Sequence, residues 1–248
     1  MYNTLLEITS ANDELETLQV TRHDVEKWIN EWEISSDEKS TFLKHLVDVH
    51  EKSGESYVSA LDIINLLITC HSIVFPRQAG YEFLGLYLRS LSSTSSAAQE
   101  VAIRLIATAL RLPTVFDFDP LFKLDAVIAV KDHELFSLLQ IYLNDGLLEF
   151  NAWEASHPGA FEKYRKFKYC SYGLSLMTPS AGLDKTQLER KIRLLTLASL
   201  AFKHVGHELP YSKAAEALQI DSEDVERWAI DGNTIQHHMH IHLIMRFS

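Results

Sequence analysis

The side chains with the most capacity for chemistry lie near the end of the chain. His237, His238, His240 and His242 fall within six residues, and closely spaced histidines are a metal-ligand pattern. Structural zinc sites usually add cysteine, and this stretch has none. The tail therefore reads as a histidine-rich, unstructured end rather than a metal centre. A second constellation is basic and aromatic. Lys163, Arg165, Lys166 and Lys168 alternate with Tyr164, Phe167 and Tyr169, and Arg190, Lys191 and Arg193 continue the positive character. Cations interleaved with rings can hold single-stranded RNA. The competing reading, which the pattern favours, is an amphipathic helix with a solvated basic face.

Catalytic spacing is missing. The sequence has no glycine-rich phosphate loop, no GxGxxG, no HExxH and no GxSxG. His133-Glu134 and His207-Glu208 lack the second histidine that a helical zinc site needs. No catalytic residue, cofactor site or metal site is assigned, and the chain reads as a non-enzyme. Cys70 and Cys170 form no CxxC pair. They read as buried free thiols in a reducing, cytoplasmic setting. The run 61–75 is too short and too polar to read as a membrane span.

The elements that must position these residues are helical. Val25, Trp28, Ile29 and Trp32 fall at i, i+3, i+4 and i+7. The same stripe returns in Phe42, Leu43, Leu46, Val47 and His50, and in Leu84, Tyr87, Leu88 and Leu91. It recurs from Ala98 through Ala109 and in Leu135, Leu138, Leu139 and Tyr142. Asp119 before Pro120 and Asp132 before Leu135 read as N-caps. Short amphipathic helices recurring every 15–25 residues must bury their faces on one another, which predicts a helical-repeat array. With 248 residues, 46% apolar and 9 glycines, the chain has room for such a core and little turn chemistry.

The end of the chain changes pattern. A strongly apolar helix runs from Glu189 to Val205, with Gly206 as its stop. An extended piece through Leu209 and Tyr211 follows, then a helix from Lys213 to Leu218 capped by Ser212. Asp221 or Ser222 caps a third helix to Ile230. This order is the front half of a winged helix. Residues 221–231 hold five acids and one arginine, which would repel a phosphate backbone. The unit therefore reads as a protein-contact module, with Leu209, Tyr211, Val225, Trp228 and Ile230 as candidate partner-interface residues. Net charge is −11, from 34 acids and 23 bases. Residues 1–150 carry 23 acids and 11 bases, so the acidity belongs to the array.

The stretch from Lys191 to Asp231, KIRLLTLASLAFKHVGHELPYSKAAEALQIDSEDVERWAID, resembles the winged-helix part of the PCI-domain family. FDFDPLFKLDAV, YEFLGLYLRSL and EKWINEWEISSDEKSTFLKHLVDVHEKSGE extend the resemblance over most of residues 1–231, toward the fungal subunit M type of eukaryotic translation initiation factor 3. The resemblance implies an all-α-dominated fold, a helical-repeat part over 1–188 and an incomplete winged helix over 189–231. Residues 57–78 read as an insertion and 232–248 as a tail foreign to the family, both consistent with a truncated or mis-spliced form. It implies a non-catalytic scaffold, in contact with other PCI and MPN subunits and, through the complex, with the small ribosomal subunit. Subunit 7 of the COP9 signalosome and the proteasome lid are the alternatives within the family. An RNA-binding module at 163–168 is the alternative outside it. A winged helix without its wing is expected to expose Leu209, Tyr211 and the apolar helix faces, and to join the complex weakly.

Overall fold

A computed structural model describes residues 2–12, 14–18, 20–61, 71–165, 183–204 and 207–230, with the side chains of Glu16, 51–61, 71–78 and Arg165 left aside. Among the described residues the regular structure is helical, with one isolated bridge at Leu209. The chain forms two compact units. Of the described residues, the first contains those up to Thr108 with 124–130, and the second holds 109–123, 131–165 and 183–230.

The first unit is built from α1 (Tyr2–Ala11), α2 (Arg22–Glu31), α3 (Ser36–Leu61), α4 (His71–Ser90) and most of α5 (Ser96–Arg111). Two of these helices start on reciprocal caps. Thr21 and Asp24 each accept the other's backbone N–H at the head of α2. Ser35 and Glu38 do the same for α3, at 3.3 and 2.9 Å. Val25, Phe42, Leu43, Leu46 and Val47 are buried, as are Ala98, Val101, Ala102, Leu105, Ile106 and Ala109 on α5. An aromatic ladder ties the first three helices together. Tyr2 lies 4.8 Å from Trp28, Trp28 stacks 6.2 Å from Trp32, and Trp32 meets Phe42 edge-on at 5.1 Å. The short α7 (Asp125–Ile128) also belongs to this unit.

His50 is the buried polar group of the α3–α4 pair. Its Nδ1–H donates to Leu46 O at 3.0 Å and its ring meets Phe83 edge-on at 4.7 Å. Burial lowers its pKa to about 4. Of the expected insertion, residues 57–61 continue α3 and 71–78 open α4, while 62–70 lie outside the described residues.

The second unit contains α6 (Asp119–Phe122), α8 (Glu134–Asn144), α9 (Leu147–Ser156), α10 (Ala160–Arg165), α11 (Lys185–Lys203) and α12 (Tyr211–Leu218). Leu135, Leu138, Leu139, Phe150, Leu188 and Ile192 fill its core. Tyr142 on α8 donates to Leu188 O on α11 at 2.8 Å, with Phe118 and Phe150 edge-on to its ring. Three expected caps move by a residue or two. Asp119 is the first residue of α6, and Asp117 Oδ1 accepts its N–H at 3.1 Å. The cap of α8 is His133, not Asp132: its Nδ1 accepts Leu135 N–H at 3.2 Å. Pro210, with its φ already near the helical value, precedes α12 in place of Ser212.

The expected division at 188/189 falls inside a continuous helix. Asp184 accepts Thr186 N–H at 3.2 Å and starts α11 four residues before Glu189. The compact units part at Thr108 instead, because α11 packs with the end of α5 and with α9. Gly206, Cys70, Cys170 and the tail from 232 lie outside the described residues.

Two measurements follow from these elements. In the unfolded chain His50 takes a proton near pH 6.5, while in the fold it stays neutral down to about pH 4. Stability is therefore lost as pH falls through that interval. Between pH 7 and pH 5 His50 is expected to cost about 2 kcal/mol that a His50→Leu variant does not lose, read from urea midpoints at the two pH values. Gln219, which closes α12, has φ 53°. Gln219→Gly should raise stability by about 0.5–1 kcal/mol, read as a higher melting temperature.

Candidate functional site

α11 carries the charge chemistry of the second unit. Leu188, Lys191 and Ile192 share its buried stripe. Lys191 is 4% exposed and has no carboxylate partner among the described residues. Its Nζ donates to Ala109 O at 2.7 Å, Leu112 O at 2.8 Å and Leu110 O at 3.3 Å. These are carbonyls at the end of α5, where no further helical N–H remains to bind them and the helix dipole is negative. Phe116 and Phe118 present their faces to the same ammonium at 5.6 and 4.8 Å. Burial pushes the lysine well below its usual pKa, while three carbonyl acceptors match the three protons of an ammonium.

Two residues on, and so about 200° around the helix, Arg193 repeats the device on another neighbour. Its Nε donates to Leu218 O at 3.1 Å, the last carbonyl of α12. Its guanidinium lies 5.8 Å from the Trp228 ring and 3.5 Å from Glu189. Lys185, four residues before Glu189, bridges to Glu154 on α9 at 2.8 Å. A ladder of charges thus runs from α9 along α11 to α12.

Beyond α12 the chain turns through Gln219 into a short 3-10 turn, Ser222–Asp224, and a helix over 225–230. Leu209, Ala214, Ala215 and Val225 form the core of this small module, with Leu200, Tyr211 and Ile220 packed on it. The helix-turn-helix outline expected from sequence is present. Its outer face shows Asp221, Glu223, Asp224 and Glu226 against Arg227.

Several expected site residues change place. Lys191 does not belong to the basic surface: it stands on the buried stripe, bound to the end of α5. Leu209 and Val225 are 2% and 0% exposed, so they are core of the module and not open contact surface. The expected exposed face at Leu209 is absent for the same reason: α12 and the 225–230 helix close over it. Tyr211 and Trp228 are half-buried, and Ile230 is 65% exposed. Arg193 is committed to Leu218 and Trp228. Lys163 is exposed but paired with Glu134, which also accepts the Tyr164 hydroxyl. Arg190 is exposed. The side chain of Arg165, and all of Lys166 and Lys168, lie outside the described residues, as do the tail histidines. Among the described residues no three His, Cys, Asp or Glu side chains gather as a metal site. No described helix is long and apolar enough to cross a membrane.

Over 230 residues, 92% of its length, the chain is 32% identical to eukaryotic translation initiation factor 3 subunit M of Phaeosphaeria nodorum. It is 31% identical to the subunit M of Chaetomium globosum over 93% of its length, and to that of Aspergillus terreus over 82%. The chain is a homologue of initiation factor 3 subunit M. It spans less than half the length of these relatives, 44%, 48% and 38% respectively. No protein-family model matches it. The helical architecture is consistent with a helical PCI-domain protein. Sequence reasoning missed Lys191 as a structural cation, although its place between Leu188 and Ile192 on an apolar stripe was the signal.

Lys191→Met leaves the carbonyls at the end of α5 buried without donors. It should lower unfolding free energy by about 3 kcal/mol or more, while Lys203→Met on the exposed end of α11 stays within about 0.5 kcal/mol. Urea unfolding of both variants checks the difference.

Proposed function

We propose that this chain is a non-catalytic scaffold subunit of eukaryotic translation initiation factor 3, working in the cytoplasm to support assembly of the initiation complex on the small ribosomal subunit. The observation that carries this reading is the similarity to subunit M along 92% of the chain. The geometry of the second unit supports a role through protein contacts. The acidic outer face of residues 221–227 is unsuited to nucleic acid, and Lys163, Lys191 and Arg193 are engaged within the fold. The docking surface for other PCI and MPN subunits is assigned to the module's rim, with Ile230 as its exposed apolar anchor; Trp228 and Tyr211 are half-buried. With Leu209 and Val225 closed inside the module, stable incorporation is expected, in place of the weak incorporation inferred for an open one.

The test is affinity purification of the tagged chain from fungal cells with mass spectrometry of its partners. Initiation factor 3 subunits and small-subunit ribosomal proteins are expected. Signalosome or proteasome-lid subunits in their place would overturn the assignment. Ile230→Asp should reduce recovery of the partners by about tenfold or more, a step of about 1.4 kcal/mol, without lowering the melting temperature. Lys166→Glu with Lys168→Glu should leave both partner recovery and RNA crosslinking unchanged. A loss of RNA crosslinking alone would favour the RNA-binding reading.

A further inference from the structure

A second surface stands out on α9. Leu147, Phe150 and Trp153 on this helix are buried, and Trp153 Nε1 donates to Ser137 Oγ on α8 at 2.8 Å. Those residues define the inward face. Leu148, Ala152 and Ala155 follow at i, i+4 and i+7, and all three are exposed. At 100° per residue the two groups point about 170° apart. A surface helix ordinarily presents one apolar face. α9 presents two. Leu148 is 69% exposed, and Leu143, in the last turn of α8, is 39% exposed.

The borders of the outer stripe differ. On one side Asn151 reaches Gln219 Oε1 at 3.4 Å and Glu154 holds Lys185, so that side is closed by α11 and the end of α12. On the other side stands Glu149, whose Oε2 accepts the Gly146 N–H at 3.1 Å, and Asp145 precedes it at the α8–α9 turn; both are exposed and without an ion pair among the described residues. From Glu134 to Ser156 the chain carries Glu134, Asp145, Glu149 and Glu154 and no lysine or arginine.

We propose that the outer face of α9 docks an amphipathic helix of another protein chain, with an aliphatic seam bordered by lysine or arginine. Ala152 and Ala155 are small side chains on the same stripe as Leu148, so the ridge of a helix can approach there closely. Asp145 and Glu149 supply the complementary charge on the open border. A second copy of this chain is the wrong occupant, since a two-fold contact through this face would set those acids against one another. A nucleic acid is excluded by the same sign of charge. The partner is taken to be another subunit of the initiation factor, which rests on the function proposed above.

The test places a photo-crosslinking phenylalanine derivative at position 148 or at position 155 of the full tagged chain. The chain is purified with its complex from fungal cells, irradiated, and the crosslinked peptides are identified by mass spectrometry. Both positions should reach one helical, lysine- or arginine-bordered segment of another subunit. Leu148→Asp should cut the crosslink from position 155 at least tenfold while the melting temperature of the chain is unchanged. If the complex is recovered and the crosslinks are absent, or lead to RNA, to a second copy or to scattered segments, the surface proposal falls and the function stands. If no initiation factor subunit is recovered with the unmodified chain, the function falls, and with it this partner.

Discussion

A buried ammonium, without a carboxylate partner among the described residues, organises the second unit. An α-helix that ends inside a protein leaves its last carbonyls without donors, and each unmatched one costs about 1–3 kcal/mol. α5 ends in that situation, and Lys191 resolves it from a different helix. The choice of lysine matters. A carboxylate partner would add a second buried charge, whereas carbonyl oxygens at a negative helix end balance the ammonium with dipoles already present. Phe116 and Phe118 complete the enclosure with their ring faces. The position of α11 against the Ala109–Leu112 turn of its own unit is thereby set by directional bonds as well as by apolar packing.

Once α11 is fixed in this way, its other charges determine what lies around it. Arg193, on the opposite side of the helix, holds the end of α12 and the ring of Trp228, and Lys185 holds α9 through Glu154. The small terminal module is thus joined to the rest of its unit by α11, which binds two helix ends, and by Asn151 of α9, which donates to Gln219. Lys191 is buried and Arg193 is held within the fold, so composition along α11 overstates the positive surface.

The apolar stripes were the legible part of the fold. The residues from Ala98 to Ala109 and from Leu135 to Tyr142 are buried on the faces their spacing implies, because a 3.6-residue period is a local property. The helix-turn-helix outline between Tyr211 and Ile230 was legible for the same reason. Cap identity was less so: an aspartate at 132 and a histidine at 133 can both accept an N–H, and backbone geometry at the turn decides between them. The contact roles of Leu209 and Val225, and the exposure of Lys191, depended on which elements close over them. That is set by contacts across many residues, which no local period carries. Ile230 kept the exposure that a contact residue requires.

The bonds of Lys191 also impose an order in time. Its acceptors at Ala109 and Leu112 precede it by 82 and 79 residues. At synthesis rates of about 5–20 residues per second, the end of α5 waits roughly 4–16 s for its cation to be made. Until Lys191 has been made, the carbonyls at the end of α5 lack this donor, and Phe116 and Phe118 lack the ammonium that faces them in the fold. The enclosure at the end of α5 is therefore completed only after α11 has been synthesised.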